Sequence, residues 1–246
     1  MTRKVKKAKK TRVTKAPADS ADLRFQDTVP LKKFRSKRIG IAGLGAVGRH
    51  VAILLGVMGH KNLFGADPDK IELKNIGSQG WKVKDIGRTK AQTLTSEITV
   101  VSDRAVMTAF PAKFEAQANW IKTLDIFFCC VDTMSARKAI WDIVKERDNL
   151  QGLWLDSRMA SRVIRVITVD LSSQIDRDYY EKTLFTDAEG FEGSCTDRMT
   201  VYGAYIAAGL LVSQMTNWLN DMLIKKDVVL ETLALSMNDL QQEAGQ

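Results

Sequence analysis

Residues 38–48 read RIGIAGLGAVG and residues 62–67 read NLFGAD. A short β-rich run, 38–42, passes into GLGAVG at 43–48. Residues 49–58 then read as a helix stopped at Gly59, and 62–66 as a second strand that ends at Asp67. Strand, glycine turn, helix, strand and acid form the opening unit of a dinucleotide-type fold. Gly43 permits the tight turn, Gly45 lets backbone approach a phosphate, and Gly48 lets the helix lie close on the strand. The amides that begin the helix face an anion. Asp67 stands nineteen residues beyond Gly48, where a carboxylate accepts hydrogen bonds from ribose hydroxyls. These features mark an adenine nucleotide site. They do not separate NAD from ATP, because users of both share the layout.

Outward from this unit, residues 125–131 (DIFFCCV) form the kind of apolar run that is buried on both faces of a parallel sheet. Residues 88–98 and 135–147 read as helices, and 153–155 and 163–169 as further strands. Residues 170–198 read as irregular, with a helical turn near 179–184. Residues 199–220 carry no charge and read as a long apolar helix. Ser213, Gln214, Thr216 and Asn217 within it argue for burial in protein rather than in lipid. The expected fold class is α/β: a Rossmann-like open, mostly parallel sheet with helices on both faces. Strands and the apolar helix extend it at the C-terminal side.

The 246 residues are 45% hydrophobic and 27% charged, which excludes collagen-like, coiled-coil and wholly disordered classes. The net charge is +8, and the eight cations within residues 1–16 equal it, so the remainder is about neutral. A nucleic-acid-binding core is therefore not implied. Residues 1–20 are expected to be a disordered basic tail, either simply solvated or a weak contact for nucleic acid or an acidic partner. Residues 21–246 are expected to form a single domain. Three cysteines exclude a disulfide scaffold, and no CxxC pair offers a structural zinc site. A cytoplasmic protein with no membrane contact fits these features, since the N-terminus lacks the apolar stretch of a secretory signal.

The segments after Asp67 narrow the chemistry. They read DPDKIELKNIGSQ at 67–79, GRTK at 87–90 and DTMSAR at 132–137. Hydride transfer needs no amides and cations so soon after the ribose acid, whereas placing a triphosphate does. Asn75 and Gln79 supply neutral donors, and Arg88 and Lys90 supply positive charge. Asp132, at the end of the buried strand, supplies a hard oxygen ligand for magnesium. Asp69 suits a turn as well as a ligand role. Arg137 suits a cover over the sheet end, and Asp156 with Arg158 suits an ion pair.

In order and spacing these motifs resemble the ThiF/MoeB adenylyltransferase superfamily, relatives of the ubiquitin-activating enzymes, over about residues 24–219. Small stand-alone bacterial ThiF-like proteins look most similar. The resemblance implies ATP over the glycine turn, Asp67 on the ribose, Lys90, Asn75 and Gln79 on the phosphates, and Asp132 positioning Mg2+. The implied acceptor is the C-terminal carboxylate of a small β-grasp, ubiquitin-like or sulfur-carrier protein. It attacks the α-phosphorus, releases pyrophosphate and leaves an acyl-adenylate. An ionised carboxylate needs no general base, so holding it in line and neutralising phosphate oxygens are the main tasks. The resemblance also implies a homodimer in which Arg24 reaches the partner's ATP site. Cys195 matches the loop where some relatives keep a sulfur-carrying or thioester-forming cysteine, and it equally suits a helix-entry loop. Cys129 and Cys130 read as core strand residues. Two departures stand out: Ser78 replaces a frequent family arginine, with Arg88 as a compensating charge, and the paired zinc cysteines are missing, so no zinc is expected. Two other readings share these residues. One is an NAD-dependent oxidoreductase, opposed by the lack of a YxxxK pair and of any histidine after residue 60. The other is a catalytically degenerate ThiF-like scaffold subunit, which Ser78 favours.

Overall fold

A computed structural model describes residues 22, 24–186 and 200–240. The basic tail and Cys195 lie outside the described residues. Among those residues the strands are β1 (Ile39–Ala42), β2 (Leu63–Ala66), β3 (Met107–Phe110), β4 (Ile126–Cys129), β5 (Leu153–Ala160), β6 (Val163–Asp170), β7 (Asp227–Glu231) and β8 (Ser236–Asp239). The helices are α1 (Leu31–Ser36), α2 (Ala46–Val57), α3 (Lys74–Gln79), α4 (Lys90–Val101), α5 (Ala118–Ile121), α6 (Met134–Lys145), α7 (Gln174–Lys182) and α8 (Val201–Leu219).

All eight strands share one sheet in the order β3-β2-β1-β4-β5-β6-β7-β8. From β3 to β5 the pairing is parallel, and from β5 to β8 it is antiparallel. The switch comes at a tight reversal between β5 and β6, where Ser161 adopts a left-handed φ of 54°. Parallel neighbours need a crossover, usually a helix, whereas a hairpin needs only a short turn.

The sheet has a core on each face. Ile39, Ile41, Phe128, Leu155 and Val166 pack with α2, α4 and α8 on one side. Phe127, Trp154, Ile167 and Val169 pack with Trp141 of α6 and Tyr180 of α7 on the other. All four residues of β4 are buried, as its apolar run predicts. The alternation in β6 is assigned by the same contacts: Ile164 and Val166 face α8, while Ile167 and Val169 face α6 and α7.

The uncharged run forms the 19-residue α8, which buries Ala204, Ala207, Ala208, Leu211 and Met215. It is not apolar all round, since Gln214 is buried on it while Tyr202 and Tyr205 are exposed. No described helix is long and apolar enough to cross a membrane. Five features go beyond the sequence reading: α1, β3, α3, α5 and the β7–β8 hairpin. The segment read as largely irregular after 170 holds a full helix, α7, begun by Ser173 accepting from the Asp176 amide.

Candidate nucleotide-binding site

Register assembles the site. Ala42 of β1 pairs with Ala66 of β2 on one side and Cys129 of β4 on the other. The glycine turn, Asp67 and the Asp132 loop therefore leave the sheet side by side at the carboxyl ends of parallel strands. Ligands bind open α/β sheets at that end.

The three glycines have different physical reasons. Gly43 has φ 80°, and a β carbon there would lie 2.7 Å from the Cys130 carbonyl oxygen. A β carbon at Gly48 would lie 1.9 Å from the Gly43 carbonyl oxygen. Both glycines are required by the packing of the protein itself. At Gly45 the nearest atom would be Gln79 Nε2 at 3.5 Å, an ordinary contact, so this glycine leaves room. Gly45 is the N-cap of α2, with no side-chain cap and no acid in the first turn. Helix-start amides left in this way suit an anion.

Asp67 is buried beneath the turn. Its Oδ2 accepts from the Leu44 amide at 2.8 Å, and its Oδ1 accepts from the Asp69 amide at 2.9 Å. Burial raises its pKa, opposed chiefly by the Lys90 ammonium. Lys90 is 5% exposed on the first residue of α4, 3.7 Å from Asp67 Oδ2, and it donates to Asp69 Oδ2 at 2.8 Å. Thr89 caps that helix. The GRTK segment thus places its lysine between two carboxylates.

The other expected phosphate contacts are partly engaged elsewhere. Arg88 pairs with Asp85 at 3.0 Å and is half-exposed. Asn75 is buried, and its Oδ1 accepts from the Glu72 amide at 2.9 Å. Gln79 closes α3, and its Oε1 accepts from Trp81 Nε1 at 3.0 Å. The Ser78 hydroxyl turns back on its own helix, donating to the Lys74 carbonyl at 2.9 Å.

Asp132 is exposed between the end of β4 and the Thr133 cap of α6. Arg137 braces the backbone on both sides of it. Its Nη2 donates to Val131 O at 2.8 Å and its Nη1 to Thr133 O at 3.3 Å. Its Nε donates to Asp156 Oδ1 at 2.7 Å. Asp156 also accepts from Arg158 at 2.9 Å and from the Tyr180 hydroxyl at 3.1 Å. The expected Asp156–Arg158 pair is therefore one part of a larger buried network. Among the described residues no group of three or more His, Cys, Asp or Glu side chains could hold a metal. Mg2+ needs no such cage, because it binds through one or two carboxylates together with substrate phosphates. An exposed Asp132 beside the glycine turn fits that donor set.

Arg24 is exposed at the other end of the sheet. Its neighbour Asp22 pairs with Arg35 of α1 and Arg104, both of which lie before amino ends of parallel strands. The chain therefore does not bring Arg24 to its own Asp132. Cys129 is fully buried, and burial raises its thiol pKa well above the ordinary value. Burial pushes Cys130 up to about 12 despite a hydrogen bond from Ser157. Cys129 is a core strand thiol, as the apolar run implies, whereas Cys130 lies just past β4 and is partly buried against the core.

Two residues near the site were not singled out from sequence: Arg49 and Trp81. Arg49 follows the glycine turn on α2, is 5% exposed, and forks onto Glu97 with Nη2 contacts of 2.7 and 2.8 Å. Its guanidinium lies 4.8 Å from the Trp81 ring centroid. The available signal was an arginine directly after GLGAVG, on a helix face that must pack.

Strand order, glycine turn and strand-end acids define an α/β protein of the dinucleotide-binding type. The ThiF family profile matches residues 19–227, and the chain belongs to that family. It is 29% identical over 112 residues to the sulfur carrier protein ThiS adenylyltransferase of Escherichia coli (strain K12), a match covering 44% of this chain and 45% of that protein. The match therefore spans less than half of that relative's length. Among solved structures, PaaA superposes with a TM-score of 0.70 at 16% identity, covering 92% of this chain and 84% of PaaA. E. coli MccB with ATP superposes with a TM-score of 0.64 at 14% identity, covering 85% of this chain and 64% of MccB. At these identities both structures speak for the fold alone.

Proposed function

We propose that the protein is an ATP- and Mg2+-dependent adenylyltransferase that activates a carboxylate, the C-terminus of a small ubiquitin-like or sulfur-carrier protein. The observation that carries this reading is Asp132: an exposed carboxylate, braced on both sides by Arg137, at the strand end next to an uncapped glycine turn. Similarity to a ThiS adenylyltransferase supports the reaction class, and MccB, which shares the fold, has been solved with ATP and with MccA. Asp67 takes the ribose. Lys90, Asn75, Gln79 and the α2 amides take phosphate oxygens, with Asp69 and Arg88 at the rim. When bound at Asp132, Mg2+ supplies further neutralisation of the phosphates. The acceptor oxygen bonds to the α-phosphorus, the bond to pyrophosphate breaks, and an acyl-adenylate results. A cavity of about 580 Å³ runs along α6 from Met134 and Ser135, next to Asp132, to Lys145 and Glu181. It suits the incoming acceptor tail.

The working unit in this proposal is a homodimer, which lets Arg24 serve the partner's site in trans. Residues 21–246 act as one ThiF-like domain behind the basic tail, and Cys195 is available for a later sulfur or thioester step. The test is acceptor-dependent exchange of labelled pyrophosphate into ATP with candidate β-grasp proteins. Exchange that appears only with an acceptor supports the proposal. ATP binding without exchange for any acceptor would replace it with the scaffold reading, and NADH binding that ATP does not compete would replace it with the oxidoreductase reading.

A further inference from the structure

Trp81 lies just past the end of α3 and is 3% exposed. Its indole nitrogen is 3.0 Å from Gln79 Oε1. An indole N–H can only donate. The contact therefore fixes which end of the Gln79 amide faces Trp81: the oxygen does, and the NH2 group turns away from it. The amide lies across the glycine turn with its NH2 end nearer: a β carbon at Gly45 would stand 3.5 Å from Nε2 and 3.7 Å from Oε1. The indole is itself held in place. The Arg49 guanidinium lies over its ring at 4.8 Å and is fixed by Glu97, while Arg49 Nη1 reaches the Gln79 carbonyl at 3.4 Å. Without the indole donor the amide can turn over and present its oxygen to a phosphate, which repels it. Ser78 offers no substitute donor, because its hydroxyl is spent on Lys74 O at 2.9 Å.

We infer that Trp81 is a positioning residue, which holds the Gln79 amide with its two N–H donors aimed at a phosphate over the glycine turn. Arg49 and Glu97 buttress it. The inference rests on the nucleotide reading above and assigns the donor geometry within that site.

Calorimetric titration of Trp81→Phe with ATP-Mg and with adenosine tests it. The variant keeps an aromatic ring under Arg49 and removes the donor together with the indole's second ring, a packing loss that adenosine binding reports separately. ATP binding is expected to weaken about 3- to 10-fold, the scale of one hydrogen bond, with adenosine binding unchanged. Gln79→Met alone should show a similar loss, and adding Trp81→Phe to it should add nothing. Unaltered ATP affinity in Trp81→Phe overturns the inference. So does equal weakening of ATP and adenosine, or additive losses in the double variant, since each is the mark of a merely structural tryptophan. Gln79→Glu leaves Trp81 in place and puts an oxygen where the NH2 stood, so it should bind ATP more weakly than Gln79→Met does; equal affinity also overturns the inference. A wild-type protein that binds no ATP ends the nucleotide reading itself, whereas wild-type binding with an indifferent Trp81→Phe ends this inference alone.

Discussion

Arg137 and Asp156 form an ion pair of 2.7 Å with side chains 4% and 0% exposed, and the same arginine holds the backbone on either side of Asp132. Burial is the largest influence on Arg137 and opposes its charge, but Asp156 and its other neighbours together outweigh it, and the guanidinium pKa stands above its ordinary value. The pair links β5 to the start of α6. Through it the core of one sheet face sets the position of an exposed carboxylate at the sheet end.

Replacing Asp156 with alanine leaves Arg137 buried without its anion and deprives Arg158 and Tyr180 of an acceptor. Breaking a buried pair from one side costs about 3–5 kcal/mol. Denaturant unfolding of Asp156→Ala should show a loss of that order. A change under about 1 kcal/mol would mean that the network contributes little to stability.

Asp132 should behave in the opposite way. It is exposed, so Asp132→Ala is expected to keep the wild-type unfolding midpoint within about 0.5 kcal/mol. Pyrophosphate exchange should fall by about 100-fold or more, the scale of losing one contact that stabilises developing charge. Exchange at the wild-type rate would remove Asp132 from the reaction.

The glycine turn offers an internal contrast. A β carbon at Gly48 would sit 1.9 Å from the Gly43 carbonyl oxygen, so Gly48→Ala should cost about 1–3 kcal/mol of stability or more. At Gly45 the nearest atom would be 3.5 Å away. Gly45→Ala should therefore unfold nearly as the wild type does yet bind ATP more weakly, because the added methyl group occupies the anion's approach. Parallel thermal melts and ATP titrations would separate the two effects.

His60 predicts a pH dependence. It is fully buried, donating from Nε2 to Phe34 O at 2.9 Å and accepting the Asn62 amide at Nδ1. Burial pushes it down to about 4 from an ordinary 6.5, against the pull of the Phe34 hydrogen bond. Between those values the unfolded chain holds a proton that the folded one refuses. The stability from neutral His60 is thus complete above pH 6.5 and is lost as pH falls through about 4, amounting to about 3 kcal/mol. Urea unfolding across this range should show the decline, and His60→Gln should flatten it.

The parallel half of the sheet was legible because burial on both faces writes itself as an unbroken apolar run, as in β4, and because the glycine turn has steric demands that few other residues meet. The short β3 escaped because only Met107 of its four residues is buried. The β7–β8 hairpin escaped for a related reason: Ser236, Met237 and Asn238 are exposed, so no alternation marks the strand. That Asp67, Lys90 and Asp132 stand near one another at the carboxyl end of the parallel strands could be read from motif order. That Arg88 would be held by Asp85 could not, since i,i+3 charges are common on any polar segment. Nor could Trp81 be singled out, because its role depends on a hydrogen bond to a side chain two positions back, which spacing does not encode.

Asp227 is fully buried on β7, where it accepts Arg165 through two contacts of 2.9 and 2.7 Å and the Tyr179 hydroxyl at 2.7 Å. The family match stops at this same residue. A truncation designed one residue short of that boundary would leave the part-exposed Arg165 guanidinium without its anion and take from α7 the acceptor of its Tyr179 hydroxyl. The first residue of β7 is therefore a keystone rather than a loose end, and trimmed versions of the chain should keep it.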